Sequence, residues 1–220
     1  MTYDLCIFDL DGTLTDPLIG ITKAYQYALS TFGINEDLST RTNFIGPPLR
    51  EIFSNVYGFS GPDVERAVSK FREYYKSTGL FENSVYPDIP ELLQHLVDNG
   101  KTLAVATNKL IHYTIDILRH FDLEKYFSFV SGDDMSGTLT RRGKRDIIQV
   151  VLDELRSDNK KLAVMIGDRK HDILGAQDIG IYSIGVTWGY GSRTELKEAG
   201  STSIADTPDE LLQLIMGDSL

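Results

Sequence analysis

The sequence predicts an α/β protein, a doubly wound and mostly parallel sheet with a small all-helical domain inserted after its first strand. Three observations carry that expectation. Six apolar runs are continuous rather than alternating, as in strands covered on both faces. Stretches with helical periodicity lie between those runs, which suits right-handed crossovers. Residues 16 to 86 break the rhythm, since they hold helical patterns and no strand-like run.

Taken in order, the first run is Leu5-Cys6-Ile7-Phe8, and it halts in "IFDLDGTLTD" (7 to 16) at Asp9 and Asp11. Helical patterns follow around Ile21 to Phe32, Leu49 to Tyr57 and Val64 to Lys76, separated by "GINEDLS", "IGPP" and "GFSGP". They predict a cap domain over residues 16–81, leaving 1–15 and 82–220 as the α/β core. In "PDIPELLQHLVDNG" the residues Ile89, Leu92, Leu93, Leu96 and Val97 form one helical stripe. Asp88 and Glu91 have capping-box spacing, and Gly100 is a stop. "LAVAT" (103 to 107) is the next strand, with a helix over 109 to 121. "FSFVSG" (127 to 132) precedes a helix over 144 to 155, and "LAVMIGD" (162 to 168), "YSIGVT" (182 to 187) and "TSIAD" (202 to 206) complete the strands. Thr207, Pro208 and Glu210 cap the last helix, whose inner side is Leu211, Leu212, Leu214 and Ile215.

Composition narrows the function. The chain has 220 residues, 41% hydrophobic, and a net charge of -10 from 32 acidic against 22 basic residues. A nucleic acid polymer or an anionic membrane surface would be repelled over most of such a protein. A small anionic substrate remains compatible if a cation reverses the field within one pocket. No apolar stretch approaches the roughly 20 residues of a membrane span. The first strand begins a few residues after Met1, so a cytoplasmic location without a leader is expected. The single cysteine, Cys6, lies in an apolar run and reads as a small core residue. No long heptads are present, and a monomer is expected.

Open α/β sheets bind ligands beyond the carboxyl ends of their strands, near the point where strand order reverses. The polar residues that end the runs are Asp9 with Asp11, Thr107 with Asn108, and Asp168 in "IGDRKHD" with Asp172 four residues on. Two unit charges about 4 Å apart repel by about 4 kcal/mol at an effective dielectric of 20. Converging carboxylates therefore call for a cation, and an all-oxygen set favours Mg²⁺ over zinc. A carboxylate can attack phosphorus to give an aspartyl-phosphate. Asp9 is the candidate nucleophile, and Asp11 the candidate acid and base, a role that needs a raised pKa. The Thr107 hydroxyl and the Asn108 N–H are candidate phosphate ligands. An ammonium would neutralise the charge that develops.

"DLDGT" after a strand, a Thr ending a second strand, a lysine before a helix and "GDRKHD" after a later strand resemble the four motifs of the haloacid dehalogenase-like superfamily. They are most similar to its magnesium-dependent phosphatases with a Rossmann-like core, and the resemblance spans essentially the whole chain. It implies Asp9 as nucleophile, Asp11 as acid/base, Thr107 as phosphate ligand and Lys144 as the motif-three lysine that supplies the neutralising ammonium, with Lys109, just after Thr107 and Asn108, as the rival cation. It also implies a metal site of Asp9, the Asp11 carbonyl, Asp168 and Asp172. At motif three many relatives read Lys-Pro, whereas this chain reads Lys144-Arg145. The helical insert resembles the C1 cap of the phosphoglycolate phosphatase branch. "IGPPLR", "MIGDRKHDILGA" and "VTWGYGS" look like its 5'-nucleotidase-like group.

The expected activity is thus a Mg²⁺-dependent phosphomonoester hydrolase acting on a small phosphorylated metabolite. A nucleoside 5'-monophosphate comes first and phosphoglycolate second. A sugar-phosphate mutase or a phospho-accepting receiver is the alternative from the same ingredients. Arg50, after "IGPPL", is a candidate substrate ligand whose competing role is a salt bridge on the cap surface. Trp188 and Tyr190 in "WGYG" offer an aromatic wall or a plain Gly-rich turn. His171 reads as a neighbour of the metal site rather than a ligand, and His95, His112 and His120 as ordinary helical residues.

Overall fold

The computed structural model describes residues 2–134, 143–156 and 162–217. Strand β1 (Leu5–Phe8) and the two-residue β2 (Thr15–Asp16) precede helices α1 (Leu18–Ser30), α2 (Leu49–Asn55) and α3 (Pro62–Tyr74). The chain continues through β3 (Ser84–Val85), α4 (Ile89–Asp98), β4 (Thr102–Leu110), α5 (Ile111–His120) and β5 (Phe129–Asp133). It then forms α6 (Lys144–Glu154), β6 (Ala163–Gly167), α7 (Lys170–Ile179) and β7 (Tyr182–Val186), and ends with α8 (Arg193–Glu198), β8 (Ser203–Ala205) and α9 (Pro208–Met216). Two compact units result, one of residues 1–15 with 85–220 and one of residues 16–84.

The first unit holds a six-stranded sheet in the order β5-β4-β1-β6-β7-β8. Its pairings are parallel throughout. The chain runs outward from β1 through β4 to β5, crosses back to β6, and runs outward again to β8. Strand order therefore reverses beside β1, which places the carboxyl ends of β1, β4 and β6 around one crevice. Burial explains the continuous apolar runs: Cys6, Ile7, Phe8 and all of Ala163 to Ile166 have no exposed surface. Each large aliphatic side chain removed from water here stabilises the fold by roughly 1.5–3 kcal/mol.

Several boundaries differ from the sequence expectation. The two-residue strands β2 and β3 pair with each other, in a stretch read as strandless. Strand β4 continues to Leu110, so the next helix starts at Ile111 rather than residue 109; the register with β5 shifts between Ala106 and Leu110, which carries three polar residues through an irregular strand end. Asp88 takes a left-handed conformation (φ 63°) and makes no side-chain cap, so it and Glu91 form no capping box. Thr207 does cap α9, its hydroxyl accepting from Glu210 N–H at 3.2 Å.

In the second unit, Tyr25 is fully buried with its ring 4.8–5.3 Å from those of Phe44, Phe53 and Phe71, an aromatic core for a domain too small to assemble a large aliphatic one. Helix α3 passes into one π-helical turn, Tyr75–Gly79. There Gly79 meets Gly20 of α1 backbone to backbone: a Cβ on Gly20 would lie 1.9 Å from the Gly79 carbonyl oxygen. Gly20→Ala is accordingly expected to lower stability by about 1–3 kcal/mol through overpacking. Urea titration checks this, and an unchanged midpoint would mean that α1 and the π turn separate at no cost.

Candidate active site

Asp9 follows β1 and extends its ladder, donating its N–H to Ile166 O at 2.9 Å. The chain then turns sharply: Leu14 and Thr15 N–H both return to Leu10 O, and Gly12 (φ 85°) supplies the left-handed residue. A side chain at Gly12 would place Cβ 2.2 Å from Asp168 Oδ2, so the turn needs glycine for space as well as for φ. Asp168 follows β6 with no exposed surface, and Asp172 lies in the first turn of α7, 1% exposed. The Asp172 carboxylate accepts from Arg169 N–H at 3.1 Å, which fixes it at the helix start.

One oxygen from each of Asp9, Asp168 and Asp172 lies within 4.8 Å of the others. Lys144, the first residue of α6 and 4% exposed, points its ammonium among them, 2.8 Å from Asp9 Oδ1 and 2.7 Å from Asp172 Oδ1. Gly175 permits this approach, because a Cβ there would lie 2.9 Å from Lys144 Cβ. Lys109 at the end of β4 pairs with Asp11 Oδ2. Thr107 is buried on the same strand, its hydroxyl accepting from Lys109 N–H at 3.3 Å.

Of the residues singled out from sequence, Asp9, Asp168 and Asp172 thus bring their carboxylates together, with Lys144 paired to Asp9 and Asp172, while Asp11 pairs with Lys109. Thr107 and Asn108 lie in the neighbouring strand β4, beside β1. Arg50 belongs to the inserted unit, where its guanidinium bonds both oxygens of Glu65 at 2.8 and 2.6 Å. Trp188 turns its indole N–H to Thr13 O at 3.0 Å, and Tyr190 N–H donates to Asp168 Oδ2 at 2.7 Å. The second bond was illegible in sequence, because a main-chain donor leaves no residue signature.

Burial raises the pKa of Asp11, an effect that the Lys109 ammonium opposes. Asp168 is pushed well above the usual carboxylate range by burial and by the charges of Asp172 and Asp9. Asp172 is raised to about 6, chiefly by burial, with Lys144 opposing. Burial works against the Lys144 ammonium, yet Asp172 and Asp9 outweigh it and hold its pKa above the ordinary value. The fit to a divalent cation is good. The donors are all oxygens, and Asp168 Oδ1 and Asp11 Oδ1 are buried without a hydrogen-bond partner. Asp9, Asp168 and Asp172 would hold such an ion, which would relieve their mutual repulsion.

A pH dependence follows. A carboxyl whose pKa is raised on folding favours the folded state while protonated, so its support is complete below the unfolded value near 4 and is lost as pH rises through the folded value. For Asp172 that window runs from about 4 to about 6. The thermal midpoint of metal-free protein is expected to fall between about pH 4.5 and 6.5, and saturating Mg²⁺ to flatten the decline. Parallel melting series in EDTA and in MgCl₂ check this; identical curves would contradict a cation at these carboxylates.

The profile of the haloacid dehalogenase-like hydrolase family matches residues 6–186. A 5'-nucleotidase of Pseudomonas aeruginosa is 44% identical over 200 residues, covering 90% of this chain and 88% of that protein. The tyrosine-protein kinase PtkA of Mycobacterium tuberculosis is 38% identical over 216 residues, covering 96% of this chain and 72% of that protein. Among solved structures, a haloacid dehalogenase-like hydrolase of Streptococcus pneumoniae superposes with a TM-score of 0.86 at 31% identity, covering 96% of this chain and 98% of that one.

Proposed function

This chain belongs to the haloacid dehalogenase-like hydrolase family, among its phosphatases, and from that premise we propose that it is a Mg²⁺-dependent phosphomonoesterase acting through an aspartyl-phosphate on Asp9. The observation that carries the reading is the pairing of two unlike carboxylates at one strand end. Asp9 is paired at 2.8 Å to the ammonium of the buried Lys144, which is placed to offset negative charge at a nucleophilic oxygen. Asp11, two residues on, is partly buried with its pKa raised, as an acid must be.

In the proposed cycle an Asp9 oxygen attacks phosphorus, the bond from phosphorus to the ester oxygen breaks, and Asp11 gives its proton to the departing alkoxide. Water then attacks the phosphoryl group, Asp11 takes the proton it sheds, and the bond between Asp9 and phosphorus breaks to release inorganic phosphate. Thr107 and Asn108 orient the phosphoryl oxygens, and Lys144 offsets the charge that accumulates at Asp9. Mg²⁺, when bound by Asp9, Asp168, Asp172 and the Asp11 carbonyl, supplies further charge neutralisation.

The 5'-nucleotidase relative favours a nucleoside 5'-monophosphate as substrate. A panel of nucleoside 5'-monophosphates, phosphoglycolate and sugar phosphates, assayed for released phosphate with Mg²⁺ and with EDTA, tests this. The expected result is Mg²⁺-dependent release that is fastest from a nucleotide. Fastest turnover of phosphoglycolate would reassign the substrate, and no release from any ester would defeat the phosphatase reading. Because one relative is named a tyrosine-protein kinase, a parallel incubation with ATP and a tyrosine-containing peptide shows whether water or a phenol is the acceptor.

A further inference from the structure

We infer that residues 188–191, the loop after β7, are a positioning element for the acidic site: they fix Asp168 so that Oδ1 alone is presented to a cation. The inference rests on the reading of Asp168 as a Mg²⁺ ligand and adds a role for a segment to which the proposed reaction gives none.

Three kinds of contact support it. Tyr190 N–H donates to Asp168 Oδ2 at 2.7 Å, while Asp168 Oδ1, equally buried, has no hydrogen-bond partner. The two oxygens of one carboxylate are therefore distinguished by the loop. Next, the loop reaches Asp168 only because side chains are missing. A Cβ on Gly189 would lie 2.2 Å from Gly12 O and 2.5 Å from Asp168 Cβ, and one on Gly191 would lie 1.8 Å from Asp168 O. Gly12 approaches the same carboxylate as closely, with a Cβ there 2.2 Å from Asp168 Oδ2. Finally, Trp188 Nε1 donates to Thr13 O at 3.0 Å, tying the loop to the turn that carries Asp11. A turn needed only to connect β7 to α8 would require none of these close approaches to Asp168 and to the turn after β1. They also spend the indole N–H on the protein itself.

The consequence is metal selectivity. A carboxylate with one oxygen already hydrogen-bonded favours monodentate binding through the other. That suits Mg²⁺, which demands near-ideal octahedral geometry, better than Ca²⁺, which takes bidentate carboxylates and tolerates irregular ones. Partners that orient a ligand typically alter metal affinity by 10–100-fold when removed.

The test is calorimetric titration of the full chain with MgCl₂ and CaCl₂, without substrate, for wild type, Gly189→Ala, Trp188→Phe and Asp168→Asn. Circular dichroism and metal-free melting verify the fold. The expected result is that both loop variants bind Mg²⁺ about 10-fold or more weakly, with Ca²⁺ affinity less affected, so that the Mg²⁺ to Ca²⁺ preference falls. Asp168→Asn is expected to lose tight binding of both ions. If Gly189→Ala does not fold, Trp188→Phe, which keeps an aromatic ring in place, decides alone. Weakened binding in Asp168→Asn together with wild-type affinity and ion preference in the loop variants overturns this inference while leaving the metal reading intact. Wild-type Mg²⁺ affinity in Asp168→Asn overturns both.

Discussion

Asp9→Asn is expected to reduce turnover of every phosphate ester by at least about 10⁴-fold, the scale on which removal of a nucleophile acts, while making the metal-free protein more stable. The two effects have opposite signs for one reason. Asn is nearly isosteric with Asp but offers no carboxylate oxygen to phosphorus. It also removes one of three clustered carboxylates, two of which share a single ammonium: Asp9 contributes to the raised pKa of Asp168 and of Asp172. Lys144 keeps Asp172 as a partner at 2.7 Å, so the substitution strands no lysine. Assays of kcat beside melting in EDTA check the pair of effects. Lost activity with lost stability would mark Asp9 as a structural residue, and retained activity would remove it from the chemistry.

Lys144→Met carries the second large effect, and here both signs are negative. Lys144 is 4% exposed and its ammonium is paired to Asp9 and Asp172. Deleting one member of a buried ion pair typically costs 3–5 kcal/mol, because the charge left behind keeps its desolvation penalty without its partner. A loss of about that size is expected for metal-free protein, with saturating Mg²⁺ restoring part of it. Loss of charge neutralisation at the nucleophile is expected to lower kcat by about 10²–10³-fold, comparable with removal of a preorganised electrostatic donor elsewhere. Lys109→Met is the informative comparison, since Lys109 pairs with Asp11 rather than Asp9. Near-normal turnover in Lys144→Met with a collapse in Lys109→Met would transfer the neutralising role to Lys109.

Much of the site was legible because it violates the pattern around it. A strand as apolar as Leu5 to Phe8 has no packing reason to end in two carboxylates, and Asp168 interrupts an equally apolar run at Gly167. Burial confirms how unusual they are, since Asp168 and Asp172 are charged residues with almost no exposed surface. The sheet was legible for the related reason that strands covered on both faces lose polar alternation. What stayed hidden depends on backbone geometry. Asp88 has the residue type and spacing of a helix cap but adopts φ 63°, so its side chain makes no cap. The continuation of β4 through Thr107, Asn108 and Lys109 follows from a register shift against β5 that three polar residues do not announce. The loop at 188–191 read either as an aromatic wall, because its aromatic side chains are conspicuous, or as a plain Gly-rich turn. Its contacts with Asp168 instead run through a main-chain N–H and two glycines, and the spacing of Gly189 and Gly191 was the single clue. Arg50 could be read either as a substrate ligand or as one end of a surface pair, and it is bonded to Glu65.

The most direct test of the account is to quench the enzyme in acid during turnover of a good substrate with Mg²⁺, reduce with borohydride, and map the peptides by mass spectrometry. An acyl-phosphate on a carboxylate is reduced to the corresponding alcohol, so the account expects position 9 alone to be converted to homoserine. Conversion at position 11 or elsewhere, or none at any carboxylate while phosphate continues to be released, would contradict it.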